Sequence, residues 1–231
     1  IQIVEDCSQA HGAIYNGKKV GTFTEVAAFS NGFSKTLAAG GVAGIVYTKD
    51  KDLYWRIRSI ADRGKPFHKA NFNFRMTTDY LFPSHNFNAD EISCAIGISV
   101  LSKLDNIIDK RHQIAKKIDL GLKDSLVVHP TNLELPKTKS SVFFHTVAVD
   151  LNKIKVSKVQ FANAIAAEGI NINTDYRDIT CEWKWIPNYT RELKKTKNAI
   201  NFRDKTFNIL FHEQYGDNEI KDIIKSILKF E

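Results

Sequence analysis

The sequence predicts an α/β chain: the strand-bearing end of a larger domain, followed by a small α+β unit. Three short apolar runs between Ile3 and Thr48 read as strands. Apolar residues at helical spacing then run from Ile92 towards Leu122. Beyond that helix, a strand, an amphipathic helix and another strand follow closely between Ser141 and Thr174. With 231 residues, 43% hydrophobic and 26% charged, the chain has material for one large core or two small ones.

In chain order, the first strand ends at Asp6. The second apolar run ends at Ser30, and Lys35 follows it. A glycine-rich turn, Gly40 to Gly44, leads into the third strand, Ile45 to Thr48. Two strand ends thus place an acid and an amine at one edge of a sheet. A cofactor with a basic ring nitrogen at one end and an aldehyde at the other suits that arrangement, and pyridoxal phosphate is of this kind. Its aldehyde forms a Schiff base with a lysine, its ring nitrogen needs a carboxylate, and its phosphate needs hydroxyl and amide donors. The carboxylate keeps the ring protonated, so the ring accepts the electrons left when a substrate proton is removed. Alone, the pair is weak evidence, because most lysines are solvated and most aspartates at strand ends are caps.

The order of residues adds to it. Glu5-Asp-Cys-Ser-Gln-Ala-His-Gly-Ala13, then Tyr15-Asn-Gly-Lys-Lys-Val-Gly-Thr-Phe23, then Ala27-Ala-Phe-Ser30 five residues before Lys35, resembles the DegT/DnrJ/EryC1/StrS family. The likeness covers nearly the whole chain. It implies a pyridoxal-phosphate aminotransferase acting on nucleotide-linked keto sugars, in amino-sugar synthesis for surface polysaccharide or antibiotics. It also implies the type I, aspartate-aminotransferase-like fold: here part of the large domain (1–110) and the small α+β domain (111–231). By position, Asp6 pairs with the pyridine nitrogen, Gln9 faces the ring and its 3-hydroxyl, Ser30 binds phosphate and Lys35 forms the internal aldimine. Asn86 matches an asparagine that reaches the phosphate of the neighbouring subunit's cofactor, which implies a homodimer with shared active sites. His11 and Tyr176 are candidates for substrate contact; as a bland reading, Asn86 is a turn residue and Tyr176 is packing.

The chain departs from the family in three places. The spacer before the lysine is Asn31-Gly-Phe-Ser34, the loop Ala39 to Gly44 lacks an acidic residue, and Asn88 stands where the family has arginine. These touch loop shape, substrate fit and anion binding. Sugar dehydratases resembling the family carry histidine at the lysine position, so Lys35 argues against that chemistry. A non-catalytic or fragmentary member of the fold is the other alternative.

The remaining elements follow from spacing. Leu53, Ile57 and Ile60 predict a helix over 50–62, broken by Gly64 and Pro66. Phe67 to Ser84 is aromatic-rich and irregular, read as a loop packed on the core in preference to an active-site or dimer loop. Asn88 and Glu91 resemble a capping box, opening one helix to near Leu122. Pro130 to Pro136 reads as a loop. A strand over 141–149, a helix over 156–169 closed by Gly169, and a strand over 170–174 make the small unit. Then come a loop at 181–185, a polar helix over 188–198, a strand over 207–212 and a last helix capped by Asp217. His212 reads as a buried, hydrogen-bonded histidine.

Ile1 to Val4 reads as a strand already under way, whereas a long segment precedes this point in the family. The chain is therefore expected to be a C-terminal portion, and alone to expose a sheet edge and apolar faces. The net charge of +7 is dispersed without a long basic run, which suits an anionic nucleotide sugar better than nucleic acid. No apolar run reaches the ~18 residues of a membrane span, no leader is apparent, and no zinc spacing is present. Three scattered cysteines fit a reducing cytoplasm.

Overall fold

The computed structural model describes residues 1–73, 75, 78–131, 135–176, 178–192 and 194–231. It divides into two units, Ile1–Ile108 with Glu134–Ser141, and Asp109–Leu133 with Val142–Glu231.

The first unit opens on β1 (Val4–Asp6), followed by a hairpin of β2 (Ile14–Tyr15) and β3 (Lys18–Lys19). Asn16 and Gly17 turn it at φ of 49° and 78°, the left-handed pair that Asn-Gly supplies at hairpin tips. Residue 139 returns to bridge Ile14 and brace this hairpin. β4 (Val26–Ser30) pairs parallel with β1, Asp6 opposite Ala28, and antiparallel with β5 (Gly44–Thr48), Ser30 opposite Gly44. α1 (Lys51–Ala61) begins as its spacing predicts, the Asp50 carboxylate accepting the Leu53 N–H.

The long helix differs from its expectation. It is two helices, α2 (Glu91–Leu101) and α3 (Leu104–Gly121). At the break the Ser102 hydroxyl donates to the Ser99 carbonyl at 2.8 Å, a local bond that competes with helix continuation. Neither glycine nor proline marks the place. The cap is Asp90, whose carboxylate accepts from the N–H of Ser93, and not Asn88. Leu104, Ile108 and Leu37 form the small core of this unit. The expected apolar exposure is present: Ile45, Val46 and Tyr47 of β5 and Ile92, Ile98 and Leu101 of α2 are all open. Of the aromatic stretch, Phe67 and Phe72 meet edge to face at 5.3 Å, while Phe74, Met76 and Thr77 lie outside the described residues.

In the second unit, an antiparallel sheet of β6 (Val128–Pro130), β7 (His145–Val149), β8 (Ile172–Asn173) and β9 (Thr206–Ile209) runs in the order β6-β7-β9-β8. α4 (Lys158–Ala167) starts at a Ser157–Gln160 capping box. Gly169 follows it at φ 89°, the position expected to end the helix. α5 (Lys197–Lys205) and α6 (Asp217–Leu228) complete the unit. Ile118, Phe161, Ile165, Phe207, Ile223 and Ile227, all buried, form its core. Each buried aliphatic side chain contributes about 1.5–3 kcal/mol relative to exposure.

Four expectations change here. The polar helix over 188–198 is absent; Ile186–Asn188 is a single 3-10 turn, and the helix forms later, where Ile200 and Arg203 find cover. Asp217 is the first residue of α6, with Gly216 as the cap donating its N–H to Glu219 at 2.8 Å. His212 is exposed, because alternation beyond β9 turns Phe211 inward; its Nδ1 accepts from Gln214 N–H. Pro130 ends β6 and does not open a loop, and residues 132–134 of that loop, with Arg177 and Leu193, lie outside the described residues.

Candidate functional site

Asp6 ends β1, and the turn after it orients its carboxylate. Oδ1 accepts from the Ser8 N–H and from the Ser8 hydroxyl. These bonds hold the carboxyl below its ordinary range, and the nearby Lys35 ammonium adds to the effect. Asp6 is therefore ionised at neutral pH. With Oδ1 engaged, Oδ2 is the oxygen left to meet a partner; Asp6 is exposed. Ser8 went unremarked in the sequence, although a serine two residues after an acid is a recurrent local donor.

The strand start is held from the other side by Glu5. Its carboxylate accepts from the N–H groups of Gly21, Phe23 and Thr24 at 2.7, 2.7 and 2.9 Å. The loop that enters β4 is thereby fastened to the residue before Asp6. Lys35 sits in the loop that leaves β4, and Asn31, in the atypical spacer, is its anchor. Asn31 is buried, its N–H donates to Ala43 O at 2.8 Å, its carbonyl accepts from Ala39 N–H, and its Nδ2 donates to Leu37 O at 2.9 Å. The Lys35 N–H bonds the Gly32 carbonyl at 2.9 Å, and the side chain is half-buried.

His11 is 3% exposed, its ring 5.6 Å from that of Phe29. Burial pushes it below the ordinary imidazole value, the Lys35 ammonium lowers it further, and the Ser30 backbone opposes this weakly, so the ring is neutral. Among the described residues, four buried side-chain atoms lack a hydrogen-bond partner: both ring nitrogens of His11, Oδ1 of Asn31 and Oγ1 of Thr36. His11 lies within electrostatic reach of Lys35, and the other two residues flank Lys35 in its loop. Native interiors leave few such groups unpaired.

The structure thus brings Asp6, His11, Ser30 and Lys35 together. Gln9 is exposed in the same turn as Asp6, and its carbonyl accepts from the buried Ser141 hydroxyl at 2.5 Å. Asn86 lies apart, exposed, on a segment bonded to the end of α1. Tyr176 belongs to the second unit, half-buried with its ring 6.0 Å from that of Phe144.

The model of the DegT/DnrJ/EryC1/StrS aminotransferase family matches residues 1–228, and the chain belongs to that family. It is 25% identical over 230 residues to the GDP-perosamine synthase of Escherichia coli O157:H7, covering 99% of this chain and 58% of that protein. It is 37% identical over 131 residues to the dTDP-3-amino-3,6-dideoxy-alpha-D-galactopyranose transaminase of Aneurinibacillus thermoaerophilus, covering 57% of the chain and 34% of the relative. Helicobacter pylori PseC, an aminotransferase of pseudoaminic acid biosynthesis, superposes with a TM-score of 0.87 at 23% identity, over all of this chain and 59% of that one. The expected type I architecture is borne out by this likeness. The chain spans under two thirds of the length of these relatives. No helix among the described residues is long and apolar enough to cross a membrane.

Proposed function

We propose that this chain carries the lysine and the ring-nitrogen carboxylate of a pyridoxal-phosphate aminotransferase. The enzyme moves an amino group from an amino-acid donor to a nucleotide-linked keto sugar, in amino-sugar synthesis. The observation that carries the reading is the cluster at the ends of β1 and β4. There an ionised Asp6 and the Lys35 amine interact, and the orphaned buried atoms of His11, Asn31 and Thr36 belong to the same neighbourhood. The donor set fits the cofactor: one oriented carboxylate oxygen, one amine, and the Ser30 hydroxyl.

The bound cofactor supplies an electron sink for the carbon that loses its proton. Asp6 would pair with the ring nitrogen and keep it protonated. The Lys35 amine would hold the aldehyde and would serve as the general acid and base for the substrate's proton. Gln9 would face the 3-hydroxyl, and Ser30 and, from a second copy of the chain, Asn86 would donate to the phosphate. His11 keeps an uncharged ring beside the amine, and His11 and Tyr176 are each candidates for substrate contact. Relatives named for GDP-, dTDP- and UDP-linked sugars support the substrate class, and a basic chain favours such anions. We place the enzyme in the cytoplasm as a homodimer.

The test is to add pyridoxal phosphate to the full-length protein and follow the visible absorption of lysine-bound cofactor. The band should form in the wild type and be lost in Lys35→Ala. It should bleach with an amino-acid donor and return with a nucleotide keto sugar. An intact dimer that never shows the band would overturn the reading.

A further inference from the structure

Three aromatic side chains of the second unit stand outside its core. Trp183, Trp185 and Tyr189 are 37%, 51% and 80% exposed, and the core cluster is built from other residues. The Trp183 and Trp185 rings lie 5.6 Å apart, inclined at 40°, and Tyr189 meets Trp185 edge to face at 5.7 Å. Single exposed aromatics are ordinary, but three rings in mutual contact present a continuous apolar patch to water.

The backbone beneath the rings is fixed. Thr180–Glu182 and Ile186–Asn188 are 3-10 turns. Trp183, Ile186 and Tyr189 donate their N–H groups to the carbonyls of Thr180, Trp183 and Ile186 at 3.1, 3.1 and 2.9 Å. Two side-chain contacts then tie this stretch to α5. The Arg203 guanidinium pairs with the Glu182 carboxylate, and Cys181 Sγ lies 3.2 Å from Thr196 Oγ1. The second contact brings Lys195 and Lys197, which flank Thr196, to the turn that carries the rings. Lys184 adds a third cation from between the two tryptophans, and all three lysines are exposed. Glu192 is the one carboxylate between 183 and 197, and Lys194 meets it at 3.5 Å.

Flat apolar rings beside ammonium groups suit a ligand with a planar ring at one end and negative charge at the other. Every nucleobase has a π-face that stacks on such rings, and exposed lysines attract phosphate groups. A bare anion would leave the rings uncovered, and a neutral sugar would leave the charges unanswered. We propose that Trp185 and Tyr189 stack the base of a nucleoside diphosphate while Lys195 and Lys197 meet its phosphates, so that the second unit carries a nucleotide anchor. The choice of a nucleotide rests on the substrate class proposed above; the pairing of aromatic with cationic chemistry does not.

The experiment is calorimetric titration of the full-length protein with UDP, GDP and dTDP, and with inorganic pyrophosphate, at low and high salt. The nucleotides should bind about tenfold tighter than pyrophosphate, the low end of what stacking one base is worth. Trp185→Ala and Tyr189→Ala should each weaken the nucleotides and not pyrophosphate, and together they should erase the difference. Tyr189→Phe should retain it. Lys195→Gln with Lys197→Gln should weaken nucleotides and pyrophosphate alike and flatten the salt dependence. These side chains are exposed, so circular dichroism should show every variant folded. Equal affinity for nucleotide and pyrophosphate in the wild type, or nucleotide affinity indifferent to the aromatic variants, would overturn the anchor. Binding of phosphatidylglycerol vesicles and not of nucleotide would give the surface to a lipid headgroup and overturn it too. The visible band of lysine-bound cofactor keeps the two readings apart. If the band never forms while nucleotides bind as stated, the enzyme reading fails and the anchor stands; if the band forms and the rings bind no nucleotide, only the anchor fails.

Discussion

Replacing Glu5 by glutamine tests how the strand beside Asp6 is held. The wild-type carboxylate accepts three backbone N–H groups, with the Thr24 hydroxyl as a fourth donor at 3.3 Å. A glutamine carboxamide has one oxygen with two lone pairs, so at least one N–H faces an NH2 group and is orphaned. An unsatisfied donor costs about 1–3 kcal/mol, and the remaining bonds drop from charge-assisted to neutral strength, roughly 1 kcal/mol each. Since the site is only half-buried, the lower part applies: Glu5→Gln should cost about 2–3 kcal/mol at pH 7. Burial raises the Glu5 pKa, but the N–H groups of Thr24, Gly21 and Phe23 outweigh it, so the folded value lies below the ordinary 4.5. A depressed folded pKa gives stability that is fully present above the unfolded value and lost as pH falls through the folded one. The gap between wild type and variant should therefore close as the pH falls below 4.5. Urea unfolding followed by circular dichroism, at pH 7 and near pH 3, measures both quantities. A difference under about 0.5 kcal/mol at pH 7, or one that persists undiminished in acid, would refute the argument.

Lys65→Met should destabilise the protein by about 3 kcal/mol or more, because Asp62 stays buried with only the half-exposed Arg63 as cation; a urea midpoint shift worth less than 1 kcal/mol would contradict a buried pair. Gly64→Ala should cost about 3 kcal/mol, since φ is +76° and a Cβ would lie 2.0 Å from the Phe82 carbonyl oxygen; an unchanged melting temperature would exclude this backbone path. Ile223→Ala, in the core of the second unit, should lose about 2–5 kcal/mol, and calorimetry showing less than 1 would mean that the site collapses freely.

The proposed chemistry asks little of any single residue that its surroundings do not already supply. Asp6 needs to stay ionised, and Ser8 sees to it from within the same turn. Lys35 needs a fixed loop, and Asn31 makes three bonds that define one. That anchor stands in the spacer where the sequence departs from its relatives.

By itself the sequence determined the elements whose cause is local. Asp50 caps α1, Gly169 closes α4, and the order Asp6, Gln9, Ser30, Lys35 identified the family. Such features depend on hydrogen bonds and dihedral preferences within a few residues, or on a linear pattern. Tertiary structure decided the rest. No breaker marks the split between α2 and α3, and Asp90 took the cap that Asn88 resembled. Burial of His11 beside Lys35 depends on which strand packs where. The bridge of residue 86 to Asp62 exists only because a segment folds over the end of α1. A bridge between residues 62 and 86 is a property of partners in space, which no pattern within a few residues of either can supply.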